Sequence, residues 1–187
     1  MQPNYYDFNV RFPIYETNIL NLTNARHEDA DFTLHENLER MILETGDEMQ
    51  KSTNVKADMT NWTMHKTHTG FKQLADMVIS IAGQLTKTKP PLYTSECWGA
   101  VYGEGEETKE HNHWPYLWRL CYYVKAPENC GNIVFYDPRP APVYFHPNAR
   151  SSNSLNCQVN AITPVEGLLV LFPSYLEPVS YTHLRAH

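Results

Sequence analysis

The chain has 187 residues, with 15 Lys and Arg against 21 Asp and Glu and a formal net charge of −6. This length suits one domain with its own hydrophobic core, and the acidic balance excludes a dedicated nucleic-acid-binding surface. No apolar run approaches the roughly 20 residues of a membrane-spanning helix. The N-terminus has no signal-peptide pattern and the four cysteines show no paired spacing, so we expect a cytoplasmic protein with reduced thiols.

Two amphipathic helices are predicted in the first half of the chain. Leu34, Leu38, Met41 and Ile42 recur at helical spacing, and a longer apolar stripe runs from Phe71 to Leu85. The Lys-Pro-Pro sequence at 89–91 ends helical structure. The helical part is therefore expected over about residues 30–90.

From about residue 92, short runs rich in aromatic and β-branched residues alternate with Gly, Pro and Asn. The runs are "YTSECWGAVYG", "LWRLCYYVKAP", "GNIVFYDPRP", "APVYFHP", "LNCQVNAI" and "GLLVLFPS". Five or six such strands predict an antiparallel sandwich or barrel over about residues 92–178. The predicted fold class is mainly β with N-terminal helices, in a single domain over residues 1–178.

A His-Asn-His sequence at 111–113 is a candidate metal motif. Alternate side chains of a strand share a face, so the imidazoles of His111 and His113 can converge on one cation. Imidazole ligands suit Fe(II), Zn, Cu or Ni, and the motif alone does not choose the metal. Histidines two residues apart also occur by chance in surface loops, so the motif needs support from its context.

The context is a family resemblance. "HNHWPYLWRLCYYVKAP", "GNIVFYDPRP" and "PVEGLLVLFPSYLE" occur in this order, and together they resemble the 2-oxoglutarate/Fe(II)-dependent oxygenases of the prolyl-hydroxylase type, in particular a branch found in bacteria and phages. The resemblance covers about residues 94–177, and "FPIYETNI" and "MTNWTMH" extend it more weakly toward the N-terminus. It implies a double-stranded β-helix, or jelly roll, with Fe(II) as cofactor and 2-oxoglutarate as cosubstrate.

The resemblance also implies roles for individual residues. His111 corresponds to the first iron ligand, whereas His113 stands where most of the superfamily has Asp or Glu. Tyr123 corresponds to the strand tyrosine that binds the distal carboxylate of 2-oxoglutarate, although an ordinary core tyrosine fits equally well. Alternation puts Arg119 on the same strand face as Tyr123, which makes it a second candidate for cosubstrate binding. For Trp118, core packing is the default interpretation.

The family pattern requires a third histidine four residues after "FPS", and this chain has Pro178 there. The following "VSYTHLRAH", residues 179–187, is the in-frame translation of a common transposon-based sequencing adapter, so we expect a non-native tail on a truncated fragment. The first base of a histidine codon fits the hybrid codon at 178, as do the first bases of Gln, Leu, Arg and Pro codons. The alternative takes the tail as native, with His183 as third ligand and Arg185 binding 2-oxoglutarate.

For the intact parent we expect a 2-oxoglutarate-dependent Fe(II) dioxygenase that hydroxylates a peptidyl residue, a small molecule or a nucleobase. The truncated chain itself is expected to bind iron weakly and to turn over little. One alternative is a cupin-type metalloprotein that does not use 2-oxoglutarate. Another is a noncatalytic jelly-roll module for binding or structure, with the His-Asn-His sequence in a surface loop.

Overall fold

The computed structural model describes residues 13–25, 31–45, 56–87, 91–109, 111, 115–138 and 159–181, and the structural statements below concern these residues. The helices are α1 (Leu20–Thr23), α2 (Leu34–Glu44), α3 (Met64–Thr67) and α4 (Thr69–Thr86). The strands are β1 (Tyr15–Asn18), β2 (Asp58–Met59), β3 (Ala100–Val101), β4 (Glu107–Thr108), β5 (Trp118–Tyr122), β6 (Asn132–Tyr136), β7 (Val159–Ile162), β8 (Leu168–Pro173) and β9 (Pro178–Tyr181).

Both predicted helices are present as α2 and α4. A capping box starts α2, because the Thr33 hydroxyl accepts from the Glu36 amide and the Glu36 carboxylate accepts from the Thr33 amide. This arrangement satisfies two amide groups that would otherwise lack a partner at the helix start. The stripe on α4 is buried from Gly70 to Ala82. The helix ends at Lys87, which has a left-handed backbone with φ 51°.

The strands form two main antiparallel sheets. A three-stranded sheet has the order β1-β8-β5, and a four-stranded sheet has the order β4-β9-β6-β7. The strands β2 and β3 form a separate small pair. The longer strands thus come late in the chain and the long helices early, as the sequence predicted.

Strand β8 is buried on both faces and joins the two parts of the core. On one face Leu169 and Leu171 pack in a cluster with residues of α2 and α4. On the other face Leu168, Val170 and Phe172 pack in a second cluster that contains residues of β6 and β7. A strand covered on both sides has a continuous apolar sequence rather than an alternating one.

Strand β1 was not predicted, because the sequence indicated only helices in the first half of the chain. It pairs with β8, with Tyr15 opposite Leu171 and Asn18 opposite Leu168. Its four residues alternate between half-buried and exposed. A pattern of that length carries too little periodicity to identify a strand, so tertiary pairing rather than local sequence determines this element.

Gly167, at the start of β8, connects three segments. Its amide donates to the Tyr123 carbonyl at 2.8 Å, and its carbonyl accepts from the Ile19 amide at 2.9 Å. Its φ is +81°, and a Cβ there would collide with the side chain of Leu20. Only glycine therefore fits at this position without strain.

A polar network connects the helix-facing side of β5 to α1 and α2. The Tyr122 hydroxyl lies 2.7 Å from His35 Nδ1 and 2.8 Å from the Thr23 hydroxyl. His35 is only 3% exposed, and its Nε2 lies 3.2 Å from the Glu166 carboxylate. The network links α1, α2, β5 and the turn before β8, so its loss would leave buried polar groups without partners.

We predict that Gly167→Ala lowers the free energy of unfolding by at least about 2 kcal/mol, because it adds both backbone strain and a steric clash. Urea denaturation would measure this. Gly83→Ala is the matched control: a Cβ at Gly83, within α4, meets nothing within 4 Å. The control should be neutral or stabilising by up to about 1 kcal/mol. Equal stability of both variants would contradict the role assigned to Gly167.

We predict that Tyr122→Phe destabilises the fold by about 1–3 kcal/mol, because it leaves His35 Nδ1 buried without its phenol partner. Tyr136→Phe removes the same hydroxyl from a side chain that is 41% exposed. That control should change stability by less than about 0.5 kcal/mol. Thermal and urea unfolding would distinguish the two variants, and a Tyr122→Phe variant as stable as the control would refute the prediction.

Candidate active site

The face of β5 that points between the two sheets carries the predicted site residues. Cys121 and Tyr123 pack against the cluster of β6, β7 and β8, whereas Trp118 and Tyr122 pack against the helical cluster. The alternation predicted from the sequence is therefore present. Trp118 is a core residue on the helical side, as its default interpretation expected.

Tyr123 has its phenol in an apolar and uncharged environment. Burial raises its pKa well above the ordinary value of 10, with smaller contributions from Cys121, Tyr102 and Cys130. Burial also raises the pKa of the Cys121 thiol to about 11. Both groups therefore stay protonated near neutral pH, and Tyr123 can act as a hydrogen-bond donor.

Tyr102 is a neighbour of Tyr123 that the sequence reasoning missed. Its hydroxyl lies 2.6 Å from the Thr108 hydroxyl, and burial is the main cause of its raised pKa. It follows β3 directly, and Thr108 ends β4. The two glycines between β3 and β4 were the available signal, because glycine favours turns, and the Glu106 amide donates to the Gly103 carbonyl there at 3.2 Å.

Arg119 has little solvent around it and incomplete pairing. Its side chain is 12% exposed, and its nearest carboxylate, that of Glu96, is 3.8 Å away. The guanidinium carbon lies 4.4 Å from the ring centre of Tyr116 and 5.7 Å from that of Trp98. Its Nε is buried without a hydrogen-bond partner among the described residues. Burial lowers its pKa, and Glu96 partly offsets this effect.

His111 lies just beyond β4, and its orientation is fixed by the backbone. Its Nδ1 is 2.6 Å from the Lys109 carbonyl. A carbonyl can only accept, so Nδ1 carries the proton and Nε2 carries the lone pair in the neutral ring. Metal-binding histidines commonly have this arrangement. His113, the second predicted ligand, lies outside the described residues, as do His183 and Arg185 of the alternative.

Strand β9 contains position 178 and lies between β4 and β6. Thr108 of β4 lies opposite Ser180, and Glu107 opposite Tyr181. Pro178 is buried and pairs with Phe135 of β6. The expected third-ligand position therefore lies on a strand whose neighbour β4 ends three residues before His111.

The "FPS" sequence connects the end of β8 to the residues just before β5. The Ser174 hydroxyl donates to the Tyr116 carbonyl, and the Ser174 amide donates to the Leu117 carbonyl at 3.1 Å. The ends of β4 and β8 and the starts of β5 and β9 thus meet at one end of the sheets. This end carries His111, Tyr116 and Pro178.

The described residues contain no group of three or more His, Cys, Asp or Glu side chains arranged to hold a metal ion. The fit of the described residues to an iron site therefore depends on His111, whose Nδ1 contact places the lone pair of the neutral ring on Nε2. In the described part of the chain, no helix is both long enough and apolar enough to span a membrane.

Residues 96–181 match the family model described as "Putative 2OG-Fe(II) oxygenase". The fold is similar to that of a Pseudomonas putida prolyl-4-hydroxylase, with TM-score 0.61 and 11% identity over 92% of this chain and 86% of that one. It is also similar to a Trichoplax adhaerens prolyl hydroxylase in complex with a hypoxia inducible factor peptide fragment, with TM-score 0.58 and 15% identity over 90% and 76% of the two chains. No curated protein matches the chain. These findings confirm the predicted resemblance and the mainly β fold with few helices.

We predict that stability falls as pH rises from 9 toward 11, because two buried thiols resist ionisation. The pKa values of Cys97 and Cys121 are raised from 9.0 to about 11. Above pH 9 the unfolded thiols lose their protons while the folded ones keep them. The stabilisation present below pH 9 is therefore lost at up to about 1.4 kcal/mol per pH unit for each thiol.

Urea denaturation at pH 8, 9 and 10 would measure this slope. The double variant Cys97→Ala and Cys121→Ala should be less stable at pH 8, because it leaves cavities, but should show a shallower decline. The tyrosines with raised pKa values add to the loss above pH 10 in both proteins. An unchanged slope between pH 9 and 10 in the double variant would contradict the assignment.

Proposed function

We propose that the protein is a 2-oxoglutarate- and Fe(II)-dependent oxygenase that hydroxylates an organic substrate. The observation that carries the proposal is the match of residues 96–181 to the family model, on a fold similar to those of two prolyl hydroxylases. The family implies the cofactor and cosubstrate.

The proposed iron ligands are His111 and His113, with a third ligand at position 178 of the native gene. The Lys109 carbonyl accepts from Nδ1 of His111, so the lone pair that would coordinate a metal ion lies on Nε2. Position 178 lies on β9, beside β4. We also propose one domain over residues 1–178 and weak iron binding by the chain as given.

Tyr123 and Arg119 are the proposed contacts for the carboxylates of 2-oxoglutarate. Tyr123 would donate a hydrogen bond, since its raised pKa keeps the phenol protonated. Arg119 would supply a positive charge and could donate two parallel N–H hydrogen bonds to one carboxylate. Four residues separate them along the strand, so their Cα atoms are about 13 Å apart. Each side chain would therefore bind a different carboxylate of 2-oxoglutarate.

Iron, when bound, would couple the oxidative decarboxylation of 2-oxoglutarate to hydroxylation of a C–H bond by O2. The protein's own contribution is to orient the reactants and to exclude water from the site. Apolar side chains of β6, β7 and β8 line the core around Tyr123. Their dry surface strengthens each polar contact made there. The substrate class stays open between a peptidyl residue, a small molecule and a nucleobase.

We predict that Pro178→His raises the affinity for Co(II), a spectroscopic substitute for Fe(II), by at least about tenfold, because a third imidazole joins the site. Tyr175→His is the matched control, since it adds the same ring to an exposed position of the loop before β9. Adding His111→Ala to Pro178→His should abolish the gain. Visible absorption and calorimetry would measure binding. Equal gains in the two single histidine variants would argue against position 178 as a ligand position.

We predict that a chain with its native C-terminus restored forms succinate from 2-oxoglutarate in an iron-dependent reaction, and that His111→Ala abolishes this. Tyr123→Phe should weaken 2-oxoglutarate binding by about ten- to a hundredfold, since one hydrogen bond to a charged group contributes about 1.5–3 kcal/mol. Iron binding without succinate formation would exclude the oxygenase and favour the cupin-type alternative.

A further inference from the structure

Arg119 is surrounded by groups that neutralise it incompletely. An optimal Arg–carboxylate pair is hydrogen-bonded at about 2.7–2.9 Å, whereas Glu96 is 3.8 Å away. The rings of Tyr116 and Trp98 can stabilise the charge from the guanidinium faces. They cannot accept its in-plane N–H groups, and Nε lacks a partner among the described residues. The guanidinium thus retains unused donors.

The cluster around Arg119 is reachable from solvent. The Glu96 side chain is 30% exposed. Trp62 packs on Trp98 with ring centres 4.7 Å apart and is itself 37% exposed. The stack therefore extends from the half-buried guanidinium to the surface.

We propose that Glu96 is a displaceable counter-ion for Arg119, which an incoming carboxylate replaces in the plane of the guanidinium. The inference rests on the proposed function, because it deepens the role of Arg119 in that site. A bidentate carboxylate would satisfy the unused N–H groups that Glu96, at its present distance, does not satisfy. Glu96 thereby lowers the affinity of the site for carboxylates. When no ligand is bound, it partly neutralises the half-buried charge of Arg119.

The test compares Glu96→Gln with the parent chain in calorimetric titrations of 2-oxoglutarate and, separately, of acetate. Glu96→Gln removes the competing charge and should bind a carboxylate about five- to tenfold more tightly. Glu44→Gln is the matched control, since it neutralises the partner of Arg40 in an ion pair of 3.1 Å on α2. The control should leave both affinities unchanged.

Combining Glu96→Gln with Arg119→Gln should remove the gain, because no guanidinium then remains to be released. Arg119→Lys should restore only part of it, since an ammonium lacks the in-plane fork. A gain confined to 2-oxoglutarate identifies the cosubstrate as the source of the carboxylate. A gain that includes acetate identifies a general carboxylate subsite, open to an acidic substrate.

If Glu96→Gln leaves both affinities unchanged or lowers them, the proposal is overturned. Should Arg119→Gln and Tyr123→Phe still weaken 2-oxoglutarate binding in that case, the proposed function survives without the role of Glu96. Failure of the proposed function has a different signature, namely no succinate formation by the restored chain.

Discussion

The register between β5 and β8 is the constraint on which the arrangement of the site depends. Side chains alternate along a strand, so a shift of one residue would exchange Tyr122 with Tyr123. In the register present, Tyr122 enters the polar network with His35 on the helical side, and Tyr123 enters the apolar core between the sheets. Two adjacent tyrosines therefore lie in different environments: the hydroxyl of one belongs to a polar network, and the other packs against an apolar cluster.

Several independent features stabilise this register. Gly167 binds the Tyr123 carbonyl at one end of the strand pair, and Ser174 binds the backbone of residues 116 and 117 at the other. The Tyr122 network would lose its partners if the strand shifted. Because β8 is apolar on both faces, side-chain polarity alone cannot set its position. Backbone contacts and the helical side must therefore supply the specificity.

The sequence predicted much of this arrangement because its strongest patterns are long or chemically distinctive. The stripe of α4 and the alternation of β5 each have enough residues for the period to be recognised. Strand β1 and the pair β2–β3 were missed, since two to four residues give no reliable period. Tyr102 was missed because its role depends on the turn that brings it beside Thr108. The surroundings of Arg119 come from residues 96, 98 and 116, whose proximity in space no spacing rule predicts.

The protonation states on the inner face of β5 fit a site for an anion. Tyr123 and Cys121 have raised pKa values and stay neutral, so neither repels an entering carboxylate. An ionised acid at either position would impose an unpaired charge on a core that contains Val170 and Phe172, and its desolvation would cost several kcal/mol. The positive charge lies at the opposite end of this face, where Arg119 is shielded by rings and by Glu96. The strand and the residue after it thus carry a cation and a neutral donor four positions apart, and the cation would attract a carboxylate to this face.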